Sequence, residues 1–119
     1  KRVVDRWAID LLPEHHTERF GEESLAFCHE PCHTPGTHTI AGHLHPAVSL
    51  RGGGDQIKLP CFVVGERCTV LPAFSRFTAG AVVRPAGDER LFGVAEGMLI
   101  PCDRVPARAG SGRSALLRR

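Results

Sequence analysis

The stretch Thr39–Leu50, which reads TIAGHLHPAVSL, contains two apolar runs separated by a polar centre. The first run predicts a short strand that ends at Gly42, and the second predicts a strand over Ala47–Leu50. Between them lie His43 and His45. In an extended segment these two side chains would point the same way, whereas in a turn they would reach two different ions. Gly42 permits a close backbone approach or a positive φ immediately before them.

A second histidine follows the end of a strand in the same manner. Residues 25–31 read LAFCHEP, so His29 comes directly after a strand predicted over residues 24–28. Metal ligands bind best when rigid elements fix them, so the sequence predicts a metal site that uses His29, His43 and His45. Glu30 would support these ligands, although a solvated turn residue is an equally good interpretation of its position. The other histidines are interpreted as exposed loop residues: His15, His16, His33 and His38.

The later part of the chain is rich in short strands separated by loops that contain glycine or proline. A strand predicted over residues 57–65 contains Pro60, which indicates an edge strand or a bulge. Residues 91–94 and 98–100 are predicted to form a last hairpin, joined through Glu96 and Gly97.

The two ends of the chain differ from this pattern. Residues 3–12 have partly helical spacing, which predicts an amphipathic helix or a short helix that runs into a strand. Residues 14–23 are polar and contain a glycine, so they are interpreted as a loop. Residues 104–119 contain arginines and small residues but no acid, which predicts a flexible basic tail after a domain of residues 1–103.

Composition sets limits on the class of protein. A length of 119 residues fits one domain or part of one, and a net charge of +2 is too small to indicate a nucleic-acid partner. No apolar run approaches the roughly 20 residues of a membrane helix, and no signal peptide is seen, so the sequence predicts a cytoplasmic protein without a membrane partner. The five cysteines are an odd number, and this predicts no disulfide framework.

Three segments resemble a known protein family: AGHLHPAVSLRG at residues 41–52, LPCF at 59–62 and LPAFSRFTAG at 71–80. The first resembles the last metal motif of the calcineurin-like metallophosphoesterases. The other two are most similar to the ligase-associated DNA-damage-response endonucleases within that family. The resemblance implies an α/β fold, of which this chain would be the β-rich C-terminal half of a sandwich of two mixed sheets flanked by helices.

The same resemblance implies an activity and a ligand set. The activity would be that of a metal-dependent phosphoesterase or phosphodiesterase, with DNA endonuclease as one candidate, and two divalent ions (Mn, Fe or Zn) would serve as cofactors. His29 and His43 would bind one ion and His45 the other, with Glu30 and Gly42 beside these ligands.

The family's Asp-x-His, Gly-Asp and Gly-Asn-His-Asp motifs supply its bridging carboxylate and further ligands. The aspartates of this chain lack the flanking residues of those motifs: Asp5, Asp10, Asp55, Asp88 and Asp103. We therefore expect the chain to be part of a longer enzyme, inactive alone, with no catalytic residue assigned in it. The resemblance also implies a phosphodiester substrate, with DNA as a candidate, and DNA ligase and helicase partners. Half a sandwich would also self-associate through exposed sheet edges.

Two other interpretations stay open. In the first, the chain is a non-enzymatic metal-binding or structural β domain. Its zinc site would combine Cys28, His29, Cys32 and His33 with His43 or His45, although the Cys-x3-Cys spacing is atypical of structural zinc. In the second, the chain is an interaction module whose histidine cluster is incidental.

Overall fold

Nine β-strands follow one another along the chain in the computed structural model, which describes residues 7–75, 78 and 80–102. No helix is present in these residues. The strands are β1 (His15–Phe20), β2 (Glu23–Cys28), β3 (His38–Ala41), β4 (Pro46–Gly52), β5 (Asp55–Val64), β6 (Cys68–Val70), β7 (Ala81–Val82), β8 (Arg90–Ala95) and β9 (Met98–Pro101).

The strands form one connected mixed sheet. Its main path runs β1-β2-β3-β6-β5-β4-β7, and β8 pairs with β5 and with β9. The pairs β2–β3, β3–β6 and β4–β7 are parallel, whereas the other pairs are antiparallel. The predicted β-rich, mixed character is therefore confirmed. The predicted second sheet and flanking helices are not seen in the residues that the structure describes.

β5 is the longest strand, and it changes partners along its length. Its first six residues, through Pro60, pair with β4, and its pairing with β8 begins at Cys61. Proline cannot donate a backbone hydrogen bond, so its place at this exchange of partners agrees with the prediction of an irregularity there. The exchange brings Val48 of β4 against Gly93 of β8, where a Cβ added to Gly93 would lie 3.4 Å from Val48 Cγ1.

One row of side chains crosses the centre of the sheet and forms its core. Directly paired residues in this row are Ala41 of β3, Val70 of β6, Val63 of β5 and Leu91 of β8. None of the four is more than 1% exposed. Paired residues point to the same face of a sheet, so the row buries a continuous apolar strip that holds four strands in register.

The N-terminal part of the chain differs from the prediction. Residues 7–12 form neither helix nor strand, and the large apolar side chains Trp7 and Leu11 are about 70% exposed. The predicted loop at 14–23 is wrong, because β1 and the start of β2 occupy it. β1 was missed because its residues are polar on both faces and its pairing with β2, rather than an apolar face, defines it. The predicted basic tail at 104–119 lies outside the described residues.

Several strand predictions are confirmed by the structure. The strands predicted around residues 24–28, 39–41 and 47–50 are β2, β3 and β4, and the predicted last hairpin is formed by β8 and β9. In the described part of the chain, no helix is long and apolar enough to cross a membrane.

A buried thiol makes stability depend on pH in the alkaline range. Burial, with a smaller contribution from Cys102, raises the pKa of Cys61 from 9.0 to about 12. The folded chain therefore holds this proton more tightly than the unfolded chain does. We expect the free energy of unfolding to fall as pH rises from 9 towards 12, with an upper limit of about 1.4 kcal/mol per pH unit from this thiol.

Urea unfolding of the reduced chain at several pH values between 8 and 11 measures this slope. The sequence contains no tyrosine, and its lysines are Lys1 and Lys58, but the other thiols of the reduced chain also titrate in this range, and burial raises the pKa of Cys68 as well. The slope that belongs to Cys61 is therefore the difference between the unmodified chain and a variant without this thiol. The Cys61→Ala variant should show a shallower slope, whatever its absolute stability. Equal slopes in the two proteins would contradict the assignment.

Candidate metal site

Three neighbouring parallel strands end at the same level of the sheet, and the candidate site lies at this edge. The last residues of β2, β3 and β6 are Cys28, Ala41 and Val70, which are paired with one another across the sheet. The ladder between β2 and β3 continues one step further, because the Gly42 N–H donates to the His29 carbonyl at 3.0 Å. Ligand sites in parallel sheets commonly lie just outside these carboxyl ends.

This alignment brings His29 and His43 together. His29 Nε2 lies 3.0 Å from His43 Nδ1, and the two rings meet edge to face with their centroids 4.8 Å apart. Two nitrogen ligands at about 2.1 Å from one ion and about 90° apart would themselves be about 3.0 Å apart. The 3.0 Å separation is that of a hydrogen bond between the two rings, and it is also compatible with two ligands of a single ion. Both side chains are exposed to solvent.

Glu30 lies on the other side of His43. Its Oε1 atom is 3.8 Å from His43 Nε2, the ring nitrogen that faces away from His29. Metal-bound histidines commonly direct their second ring nitrogen towards a carboxylate or a carbonyl, which orients the ring. Both side chains are about half exposed, so this contact matters for orientation rather than for stability.

The turn that presents His43 has an unusual backbone. The Leu44 N–H donates to the Gly42 carbonyl at 2.8 Å, and His43 between them has a φ of 67°. His45 also has a positive φ, of 47°. Positive φ in residues other than glycine costs free energy and is concentrated at functional sites. The segment is thus a turn, and the two histidines do not project as they would from an extended strand.

Gly42 itself does not have a positive φ, so that part of the prediction is wrong. A Cβ at this position would lie 3.7 Å from the His29 carbonyl oxygen, an ordinary contact. The glycine that the backbone requires is Gly80, where a Cβ would lie 2.9 Å from both Ala47 Cβ and the His45 carbonyl oxygen. The same carbonyl accepts a hydrogen bond from the Ala81 N–H at 3.0 Å.

A second group of ligand atoms lies at the same edge, nearer β1. Ligand atoms of His15, Cys28 and Cys32 all lie within 4.8 Å of one another, and no other group of three such side chains is this close among the described residues. Cys28 and Cys32 form a disulfide. The prediction of no disulfide framework did not include this local pair, which an odd number of cysteines still allows.

The structure therefore divides the predicted residues into two groups. His29 and His43 meet, whereas His45 does not join them in a group of three within the described chain. The structural zinc interpretation requires Cys28 and Cys32 to lie with His29 and His33. In the structure the two cysteines are grouped with His15 instead. His15 was not among the predicted ligands, although Gly21 is a hairpin signal that places His15 opposite Cys28.

The remaining histidines have individual roles. His38 is not a loop residue, since it begins β3 and contacts Thr69 Oγ1 at 2.8 Å and the Glu66 carbonyl oxygen at 3.2 Å. His16 lies in β1, where its Nε2 is 2.7 Å from Glu18 Oε2. His33 is exposed, as predicted, and lies outside the strands.

The chain is similar over much of its length to a solved structure. The crystal structure of Pseudomonas putida nuclease MPE matches 65% of the chain at 38% sequence identity, with a TM-score of 0.54. The chain spans 36% of the length of that nuclease. No family model and no curated protein matches the sequence. The chain is thus similar in sequence and in fold to part of a nuclease.

Two glycines of this region should respond differently to alanine. We expect Gly80→Ala to lower the free energy of unfolding by about 1–3 kcal/mol, because its Cβ would press on Ala47 and on the His45 carbonyl. We expect Gly42→Ala to change it by less than about 0.5 kcal/mol, since its Cβ meets only an ordinary contact. Urea unfolding of both variants measures the difference, and an equal loss in the two would contradict this account of the turn.

Proposed function

We propose that the chain forms part of a metal-dependent phosphodiesterase, and that its His29 and His43 side chains bind a divalent ion together. The observation that carries the proposal is the 3.0 Å separation of His29 Nε2 and His43 Nδ1 at the carboxyl edge of three parallel strands. Support comes from the 38% identity to a nuclease over 65% of the chain.

The residues at this edge fit such an ion. Two imidazole nitrogens, with a carboxylate beside one of them, form a donor set that suits Mn, Fe or Zn. We assign His29 and His43 to one ion and His45, which lies in the same turn as His43, to a second. Divalent ions in such a pair polarise a phosphoryl oxygen and provide hydroxide at neutral pH.

The protein's own contribution is to position the ligands. The hydrogen bond from Gly42 to the His29 carbonyl fixes the two strand ends relative to each other, so that the rings of His29 and His43 meet. The Glu30 carboxylate lies beside the outer nitrogen of His43 and favours the ring orientation that leaves Nδ1 directed at His29. The close approach at Gly80 and the hydrogen bond from Ala81 hold the backbone of His45 against the start of β7.

The similarity to a nuclease also supports a substrate class. We propose a phosphodiester substrate, with DNA as the first candidate, and DNA repair as the process. The chain holds three candidate imidazole ligands but no aspartate in the family's ligand motifs. We therefore expect the isolated chain to bind metal without appreciable turnover.

Mn²⁺ binding tests the ligand assignment. The bound fraction is measured from the decrease of the free-ion signal in electron paramagnetic resonance. Removal of a residue that supports a metal ligand costs about 10–100-fold in affinity, and removal of a ligand should cost at least that. We expect His29→Ala and His43→Ala each to weaken binding by at least about tenfold. His33→Ala, which changes an exposed histidine outside the site, is the matched control. Equal affinities in all four proteins would contradict the assignment.

A chimera tests the activity. Here this chain replaces the matched segment of the Pseudomonas putida nuclease, and hydrolysis of a phosphodiester is followed with Mn²⁺ present. We expect the chimera to be active, its His43→Ala form to lose activity, and the isolated chain to show no appreciable turnover. A folded chimera that binds Mn²⁺ but does not hydrolyse the diester would contradict the proposed function.

A further inference from the structure

The group formed by His15, Cys28 and Cys32 has no part in the function proposed above. It lies at the same edge of the sheet as His29 and His43, but on the side of β1. Its three ligand atoms lie within 4.8 Å of one another. Two of them are sulfurs, whereas the histidine pair offers only nitrogens. Two sulfurs and one imidazole nitrogen form a soft ligand set.

The sheet builds this group from two strands and a short turn. His15 is the first residue of β1 and is paired directly with Cys28, the last residue of β2. Paired residues point to the same face, so the imidazole and the sulfur are neighbours. Cys32 follows four residues after Cys28, and the turn between them returns its sulfur to the first one. The three donors are therefore set by strand register and by a short connection.

A hydrogen-bonding contact with Thr34 orients the His15 side chain. Its Nε2 contacts the Thr34 hydroxyl at 3.0 Å, and Thr34 lies in a tight turn in which its carbonyl accepts a hydrogen bond from the Thr37 N–H at 3.2 Å. A contact of this kind fixes the orientation of an imidazole and selects which ring nitrogen is free to bind an ion. His15 is exposed and the two cysteines are partly buried, so an ion can reach the group from solvent.

We propose that His15, Cys28 and Cys32 form a second metal site, which binds a thiophilic divalent ion of the Zn²⁺ class when the two cysteines are reduced. On binding, each thiol loses one proton to solvent, and the two thiolates balance the charge of the ion. The disulfide between the same sulfurs is the form that cannot bind. A Cys₂His set leaves the fourth position of a tetrahedral ion to water.

The two proposed sites can be distinguished by their preference for different metal ions. Thiolates select Zn²⁺ over Mn²⁺, whereas imidazole and carboxylate donors bind both. The other cysteines do not compete, because Cys61, Cys68 and Cys102 are buried in the core. Burial raises the pKa of Cys61 to about 12, so this side chain remains a thiol at neutral pH.

Titration of the full chain with Co²⁺ tests the proposal, because thiolate ligands give Co²⁺ an intense near-ultraviolet charge-transfer band. The chain is first reduced with a phosphine. Water supplies the oxygen of the phosphine oxide and the two hydrogens that convert the disulfide into two thiols, and the reagent is then removed under anaerobic conditions. We expect one equivalent of Co²⁺ to produce the band, Zn²⁺ to abolish it, and excess Mn²⁺ to leave it unchanged. The oxidised chain should give no band.

Variants assign the ligands. Cys28→Ser and Cys32→Ser should each lose the band, and His15→Ala should weaken Co²⁺ binding by at least about tenfold. His33→Ala is the matched control and should bind as the unmodified chain does. Circular dichroism of each variant checks that the sheet is intact. Because β1 is exposed, His15→Ala keeps the test valid even if a cysteine variant fails to fold.

Three results would overturn the proposal: no band in the reduced chain, a band that survives both serine substitutions, or a His15→Ala variant that binds Co²⁺ unchanged. Loss of the band in a His29→Ala/His43→Ala variant would also overturn it, because the thiolates would then belong to one site with the histidine pair. These results are independent of Mn²⁺ binding, which tests the proposed function.

Discussion

The sheet depends on one row of apolar side chains that crosses four of its strands. Ala41, Val70, Val63 and Leu91 are directly paired and almost completely buried. If one of these strands shifted by one residue, its buried residue in the row would move to the opposite face of the sheet and leave the apolar strip interrupted. Burial of apolar surface therefore fixes the register of β3, β6, β5 and β8. The positions of the residues at the carboxyl edge of the sheet depend on this register.

The candidate ligands are a direct consequence of that constraint. Ala41 lies at one end of the row, and the ladder extends from it through Cys28 of β2 to His15 of β1. The ladder continues from Cys28 and Ala41 to His29 and Gly42, and His43 follows Gly42, so the rings of His29 and His43 meet there. The positive φ of His43 costs conformational free energy at this edge. Backbone strain of this kind is concentrated at functional sites.

Parts of this arrangement could be predicted from local sequence. Short apolar runs that end in Cys28 and in Gly42 gave β2 and β3, and the histidines that follow them were recognised as candidate ligands for that reason. The contact between His29 and His43 was not predictable from spacing, because it requires β2 and β3 to be parallel and in register. Only the tertiary fold establishes that pairing.

β1 and the role of Gly80 could not be predicted for related physical reasons. β1 is an exposed, polar edge strand, so neither face carries the alternation that identifies a strand. Its signal is the two-residue turn that begins at Gly21, whose φ is 64°. Gly80 is required because a distant segment, at His45 and Ala47, packs against it. Such a contact leaves no local trace in the sequence.

The central claim is that His29 and His43 bind one ion together at the carboxyl edge of the sheet. A crystal structure of the chain grown with Mn²⁺, with an anomalous difference map at the manganese edge, tests it most directly. The account predicts a peak within bonding distance of both His29 Nε2 and His43 Nδ1. A peak bound by only one of them, or a map in which the two rings remain in contact with no ion between them, would contradict it.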